Sequence, residues 1–418
     1  MVTKYYSLPN KTAPGLDFSY FLSDLIEIKN IIESRGIRTK NTRIERYIQY
    51  YDDIVNEREL NESSIFKNSK NGPFQHSLDW HLYLLREAHE LMWILKGLKN
   101  HIPKGIDDKL KIIVAGSDFA VLDGNSLSRN TQFELRIASY FCQAGFEVDL
   151  STETDIIASS KEYTYFIECK RVASIKMLMQ RIDEAKKQIL LRKPKNTFKK
   201  IYSAVAVDVT KIAYEHNGLT WGVTYDHTKD IIQDKLKSIS EQIRNNPIFQ
   251  NNINLLCLWM QIHIPSLVMQ PPTNITRFSS YTLINPKLKR QDKNAWDLFK
   301  NTAEIGRLGD EREVPPQDLK LRKQIIFPAG TAYKFAEDIL DELVRTTKAG
   351  ERAPEFIVLE LEMEGAMHKF TFYELELLLH QYTKKDIERI TGDKTTLRSE
   401  LLAGLYAQRY PYEDTVDI

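Results

Sequence analysis

From Phe146 to Ile264 the chain alternates short apolar runs of strand length with amphipathic stretches at helical spacing. That alternation constrains its fold more than any other feature. Residues 146–150, 154–158 and 163–170 read as three strands following Gly145. Ser174 then caps a helix in which Ile175, Leu178, Ile182, Ala185 and Ile189 keep the rhythm of one buried face. A strand over 201–209, a helix over 231–243 and a strand over 253–264 follow. A helix over 128–144 precedes them, entered through two short strands at 111–116 and 119–122. The expected fold is α/β, a mixed central sheet flanked by helices.

The flanks read differently. Residues 1–108 form a helical N-terminal module, with helices over 17–35, from Thr42 onward, and over 78–99. Thr42-Arg-Ile-Glu45 matches a capping box. The α/β domain spans 109–290, and Pro265, Pro271-Pro272 and the basic stretch Lys287-Leu-Lys-Arg290 mark its exit. A charged linker over 306–325 leads through an α+β C-terminal module, 291–418. That module is expected to hold a helix over 332–346, a hairpin around Glu364-Gly365 and a helix-rich tail to about residue 405.

Composition narrows the function. A net charge of +1 gives no global field, so contact with nucleic acid must come from local basic patches. The three cysteines, Cys142, Cys169 and Cys257, lie far apart, which argues against a thiolate zinc site or a disulfide framework and fits a reducing, cytoplasmic setting. The N-terminus lacks an apolar core of signal-peptide type. The apolar run 255–264 is about half the ~20 residues that a membrane helix needs. No Gly-x-x-x-x-Gly-Lys-Ser/Thr loop, His-Glu-x-x-His pair or Gly-x-Ser-x-Gly elbow is present. His81 and His89 share an apolar helix face and read as packing residues.

The chemistry gathers on 130–171. In an extended strand alternate side chains share a face, so Glu168 and Lys170 project together and Cys169 points away as a small core residue. An acid and a lysine at the end of the apolar run Tyr165-Phe-Ile167 are costly to bury unless paired or bound to a metal. Asp155 lies 13 positions upstream, at the mouth of the preceding strand, where its carboxylate can meet that of Glu168. Two hard oxygen ligands suit Mg²⁺ or Mn²⁺, and an adjacent lysine can polarise a water or stabilise charge on a phosphate. Glu153 is the rival of Asp155 for the same role. Glu134 has two readings: it closes a capping box begun by Thr131, or it stands in the second turn of a helix starting near Ser128 and faces the site.

The order of helix-Glu134, strand-Asp155, strand-Glu168-Cys169-Lys170 and amphipathic helix resembles the PD-(D/E)xK superfamily of restriction-endonuclease-like nucleases, over roughly residues 110–265. The Pro-Asp dipeptide of the family name is absent, since Thr154 precedes Asp155. The resemblance implies that Asp155, Glu168 and the backbone carbonyl of Cys169 bind Mg²⁺ or Mn²⁺, that Lys170 positions the attacking water, and that Glu134 supports a metal-bound water. Gln188 would be either an accessory glutamine of the following helix or a solvent-facing one. Arg171 would contact phosphate or satisfy a nearby acid.

The implied activity is metal-dependent hydrolysis of phosphodiester bonds, with DNA as the expected substrate. By analogy, a single chain of this kind without a motor suits a bacterial defence or restriction-type effector. An RNA-directed nuclease and a non-catalytic nucleic-acid-binding or assembly protein are the alternatives. Lys186, Lys187, Arg192, Lys193 and Lys195, continuing through Lys199 and Lys200, form an acid-free basic run suited to a phosphate backbone. Arg35, Arg38, Lys40, Arg43 and Arg46 form a similar cluster in the N-terminal module. The flanking modules are where a homo-oligomer or a protein partner would assemble.

Overall fold

The structure is a computed structural model. It describes residues 18–66, 77–192, 200–214, 218–244, 255–270 and 272–305, with short pieces at 5–6, 15–16, 248–249, 313–314, 325–326, 333–336, 353, 355–363 and 366–373. Its architecture is mixed α/β. Helices α1 (Phe18–Ser34), α2 (Arg43–Val55), α3 (Glu62–Ile65) and α4 (Ser77–Asn100) come first. Helices α5 (Ile106–Val114) and α6 (Leu127–Gln143) lead into the sheet.

The sheet has seven strands: β1 (Glu147–Asp149), β2 (Ile156–Ser159), β3 (Tyr163–Arg171), β4 (Lys200–Asp208), β5 (Thr220–Thr224), β6 (Leu255–Gln270) and β7 (Pro272–Ile284). Helix α7 (Ile175–Arg192) crosses from β3 to β4, α8 (Thr210–Ala213) follows β4, and α9 (Tyr225–Arg244) crosses from β5 to β6. Strands β1, β2 and β3 pair antiparallel, then β3, β4 and β6 pair parallel. Each parallel step needs a crossover, which α7 and α9 supply.

Strand β6 is the spine. One edge pairs antiparallel with β7 along its length, while the other serves β4 over Leu255–Gln261 and then β5 over Ser266–Gln270. Pro265 sits between those two partners, where the second edge is unpaired, so its missing N–H interrupts no second ladder. The prolines read as a domain exit therefore lie at and near the hairpin that β6 makes with β7, and Pro272 opens β7.

Opposite faces of the sheet bury different helices. Tyr165, Ile167, Cys169, Ala204, Ala206 and Trp259 join a cluster with α1, α2, α4, α5 and α6. Val205, Val207, Leu258, Met260 and Ile262 pack against Leu178, Ile182 and Ile189 of α7 and Ile232, Leu236 and Ile239 of α9. The first cluster also takes Ala295 and Phe299 from α10 (Lys293–Ala303). The boundaries expected at 108 and 290 therefore run through one continuous core.

Three further expectations are corrected. Residues 106–114 are helical rather than extended: Ile106, Leu110, Ile113 and Val114 share one buried face, and Asp107 and Asp108 favour the helix start. Residues 120–122 form a short 3₁₀ turn. Tyr333–Phe335, expected within a helix, is a strand pairing with the hairpin of Ile357–Met363 and Ala366–Thr371. At the start of α2 the capping box is displaced by one residue: Glu45 accepts from the Asn41 N–H at 2.6 Å, and the Thr42 hydroxyl donates to the Thr39 carbonyl at 2.5 Å instead of capping. The charged linker and the C-terminal tail lie largely or wholly outside the described residues.

Candidate active site between β2, β3 and α6

Strand β3 emerges from the core with Tyr165, Ile167 and Cys169 on the face towards α6, so Glu168 and Lys170 project towards α7. In the β2–β3 ladder Ile156 pairs with Ile167, and one step further Asp155 stands opposite Glu168 on the same face. The Cys169 N–H donates to Asp155 Oδ2 at 2.7 Å, which fixes that carboxylate at the strand mouth. Lys170 Nζ lies 3.1 Å from Glu168 Oε2 and 3.6 Å from Asp155 Oδ2.

Glu168 is fully buried. Burial, then the nearby Asp155 charge, pushes its carboxyl up to about 7 against the opposing pull of Lys170 and Arg192. Burial pulls the Lys170 ammonium down, but Asp155 and Glu168 together more than offset that and hold it above the usual lysine range. Lys170 therefore keeps its proton at neutral pH.

Glu134 settles on the second of its two readings. Helix α6 begins at Leu127, which puts Glu134 in its second turn and leaves it uninvolved in capping. It accepts from Lys109 Nζ at 2.5 Å, and burial, followed by Asp155, raises its carboxyl. Lys109 is a site neighbour that the sequence did not announce. Its reading depends on recognising α5 as a helix packed against α6.

Around this centre the other expected residues divide. Glu153 is largely exposed and lies 3.6 Å from Arg192 Nε, so Asp155 takes the inward position. Arg192 donates to Glu168 Oε1 at 2.8 Å and so faces the carboxylates instead of a solvent-side backbone. Gln188 lies one turn before it on α7 and is not solvent-facing: its Oε1 is buried without a hydrogen-bond partner. Arg171 turns to the opposite face and sits 3.4 Å from Asp208 Oδ2, satisfying an acid. Lys186 pairs with Asp183 at 3.5 Å, and Lys187 is exposed. Lys193, Lys195 and Lys199 lie outside the described residues.

The N-terminal basic run is largely consumed by structure. Arg43 is fully buried and donates to Gln132 Oε1, Arg46 holds Asp118, and Arg35 holds Asp107. His89 packs against His263, Nδ1 to Nε2 at 3.2 Å, as expected for a packing residue. Burial pushes the Cys169 thiol well up, so it is no nucleophile.

Among the described residues no three His, Cys, Asp or Glu side chains gather closely enough to hold a metal by themselves. Each carboxylate of the centre is instead met by a cation: Glu134 by Lys109, Asp155 by Lys170, Glu168 by Lys170 and Arg192. The donor chemistry nonetheless suits a hard divalent ion. Glu134, Asp155 and Glu168 offer only oxygen, burial and then Asp155 raise the carboxyls of the other two, and the Gln188 oxygen is an orphaned acceptor on the adjoining helix. No family model, curated protein or solved structure matches the chain.

Proposed function

We propose that the chain is a metal-dependent nuclease with a restriction-endonuclease-like core of the PD-(D/E)xK type, hydrolysing phosphodiester bonds in DNA. One observation carries this reading. Asp155, Glu168 and Lys170 converge at the mouths of β2 and β3, with the lysine 3.1 and 3.6 Å from the two carboxylates. Packing supplies no reason to bury an acid fully at that point, and chemistry does.

Asp155, Glu168 and the Cys169 carbonyl would hold Mg²⁺ or Mn²⁺, which when bound supplies positive charge against the phosphate. Lys170 would orient the attacking water and donate to the oxygen on which charge develops as the P–O bond breaks. Glu134 would orient the same water from α6. The closed packing around Glu168 keeps bulk water from its carboxylate and strengthens each of these interactions. With supercoiled or linear DNA and Mg²⁺ or Mn²⁺, Asp155→Ala and Lys170→Ala are each expected to lower cleavage by at least about 100-fold. Equal cleavage by wild type and both variants overturns the proposal.

The ion pair of Arg192 with Glu168 favours a second reading, a nucleic-acid-binding or assembly protein without turnover. Its mark is binding that weakens with salt, survives Asp155→Ala and needs no metal.

A further inference from the structure

On the other face of the sheet a second polar cleft opens, separate from the carboxylate–lysine centre. It lies where β6 loses β4 as a neighbour and has not yet gained β5. Arg171 at the end of β3, Asp208 at the end of β4, Thr210 and Lys211 of α8, and His263 and Ile264 of β6 line it together with residues of α4 and α6. The carboxyl ends of parallel strands, at a break in strand order, are where open α/β sheets hold ligands. The cleft has a cavity volume of about 40 Å³ and is open to solvent, room for a small anion.

Its charge is unbalanced. Five cationic side chains, Arg86, Arg129, Arg136, Arg171 and Lys211, line it against three carboxylates, Glu87, Glu90 and Asp208. Arg129 is taken up by Glu87, Asp123, Gln132 and the Ser117 carbonyl. Arg136 is 1% exposed; it gives Nη1 to Glu90 and Nη2 to Asp208 and keeps a buried Nε without a partner. Arg171 reaches Asp208 only through Nε, Arg86 reaches Glu87 only through Nη2, and Lys211 makes no hydrogen bond or ion pair among the described residues. Burial and then the Arg171 charge lower the Lys211 ammonium, and the charges of Arg136, Arg86 and Arg171 all bear on His263. Arg86, Arg171 and Lys211 thus line one space with donors that its three carboxylates do not take up.

We infer that this cleft binds a phosphate monoester, whose several acceptor oxygens match the guanidinium and ammonium donors left over by the internal acids. The phosphate is free or carried on a nucleoside, and the site stands whether or not the β2–β3 centre is catalytic.

The full chain is titrated with inorganic phosphate, a nucleoside 5′-monophosphate and the bare nucleoside. Calorimetry and thermal unfolding are read against sodium chloride of matched ionic strength. Both phosphates are expected to bind and raise the unfolding temperature, and the nucleoside is not. Tighter binding of the monophosphate by about tenfold assigns the nucleoside-borne form, and equal binding assigns the free ion. Lys211→Glu, an exposed position whose replacement leaves the core intact, is expected to weaken binding at least tenfold while cleavage at the β2–β3 centre is unchanged. Arg86→Gln is expected to weaken it similarly. Absence of phosphate binding beyond the salt control, or unchanged binding in Lys211→Glu, overturns the inference.

Discussion

Glu87 receives three arginines, Arg43, Arg86 and Arg129, in a space nearly closed to water. Burial alone would raise its carboxyl, but Arg129, Arg86 and Arg43 prevail and hold it down to about 2. Its ionised form thus stabilises the fold above the unfolded-state value near 4.3, and that stabilisation is lost as pH falls towards 2. Glu87→Gln leaves three buried guanidiniums short of one charge. The expected cost is about 3–5 kcal/mol, read as a lower urea midpoint at pH 7. A midpoint shift worth under about 1 kcal/mol would show that the arginines find other partners. This network was hidden in the sequence, because Glu87 sits in an ordinary amphipathic helix beside Arg86. The candidate site was more legible: strand alternation puts Glu168 and Lys170 on one face whatever surrounds them. In the sequence Arg43 and Arg46 read as part of a basic cluster, because their partners, Gln132 and Asp118, are 89 and 72 positions away.

At the scale of elements, α4 and α6 meet at a contact that only glycine permits. A Cβ on Gly97 would stand 2.7 Å from the Ser139 Cα, a backbone atom that no rotamer change moves. Alanine gains about 1 kcal/mol of helix propensity over glycine, whereas overpacking costs about 1–3 kcal/mol or more. Gly97→Ala is therefore expected to lower stability in chemical denaturation, and a rise would refute the close contact. The β6–β7 hairpin meets α4 at His89, His263 and Phe278. Burial and then Arg136 lower His89 to about 3, and burial, Arg136, His89, Arg86 and Arg171 lower His263 well below its ordinary value. Both imidazoles fold neutral, while the unfolded chain takes up protons below about pH 6.5. Stability should therefore fall as pH drops from 6.5 towards 3, by up to about 1.4 kcal/mol per unit for each histidine and less for the partly exposed His89. In His89→Asn the slope between pH 7 and 5.5 should flatten; an unchanged slope would assign the loss to other groups. Periodicity located α1, α2, α4, α6, α7 and α9 and the strands β1 to β4. It failed at α5, where the β-branched run Ile112-Ile-Val114 outweighed the helical spacing, and at β5 and β7, which proline and polar residues disguise.

For the whole molecule, the continuity of the larger cluster decides what a folding unit is. Phe21, Leu25 and Ile28 of α1, Tyr47 of α2 and Leu91 of α4 are buried together with Tyr165, Trp259 and Phe299. A fragment 109–290 would expose this surface and is expected to show no cooperative unfolding by circular dichroism, whereas 18–305 should unfold in one transition. A sharp transition in the shorter fragment would restore the boundaries read from composition. In the sequence, charge and proline mark surface turns as readily as linkers, so the fragments decide between the two. The hydroxyl of Tyr165, on the strand that carries Glu168 and Lys170, donates to the Ala295 carbonyl of α10 at 2.8 Å. During synthesis β2 and β3 emerge long before α10, and domains fold as their chain becomes complete. The carboxylates thus gain their final support only once about three hundred residues have been made. A nascent chain thus carries every residue of the centre before it holds the contact that fixes their strand against α10.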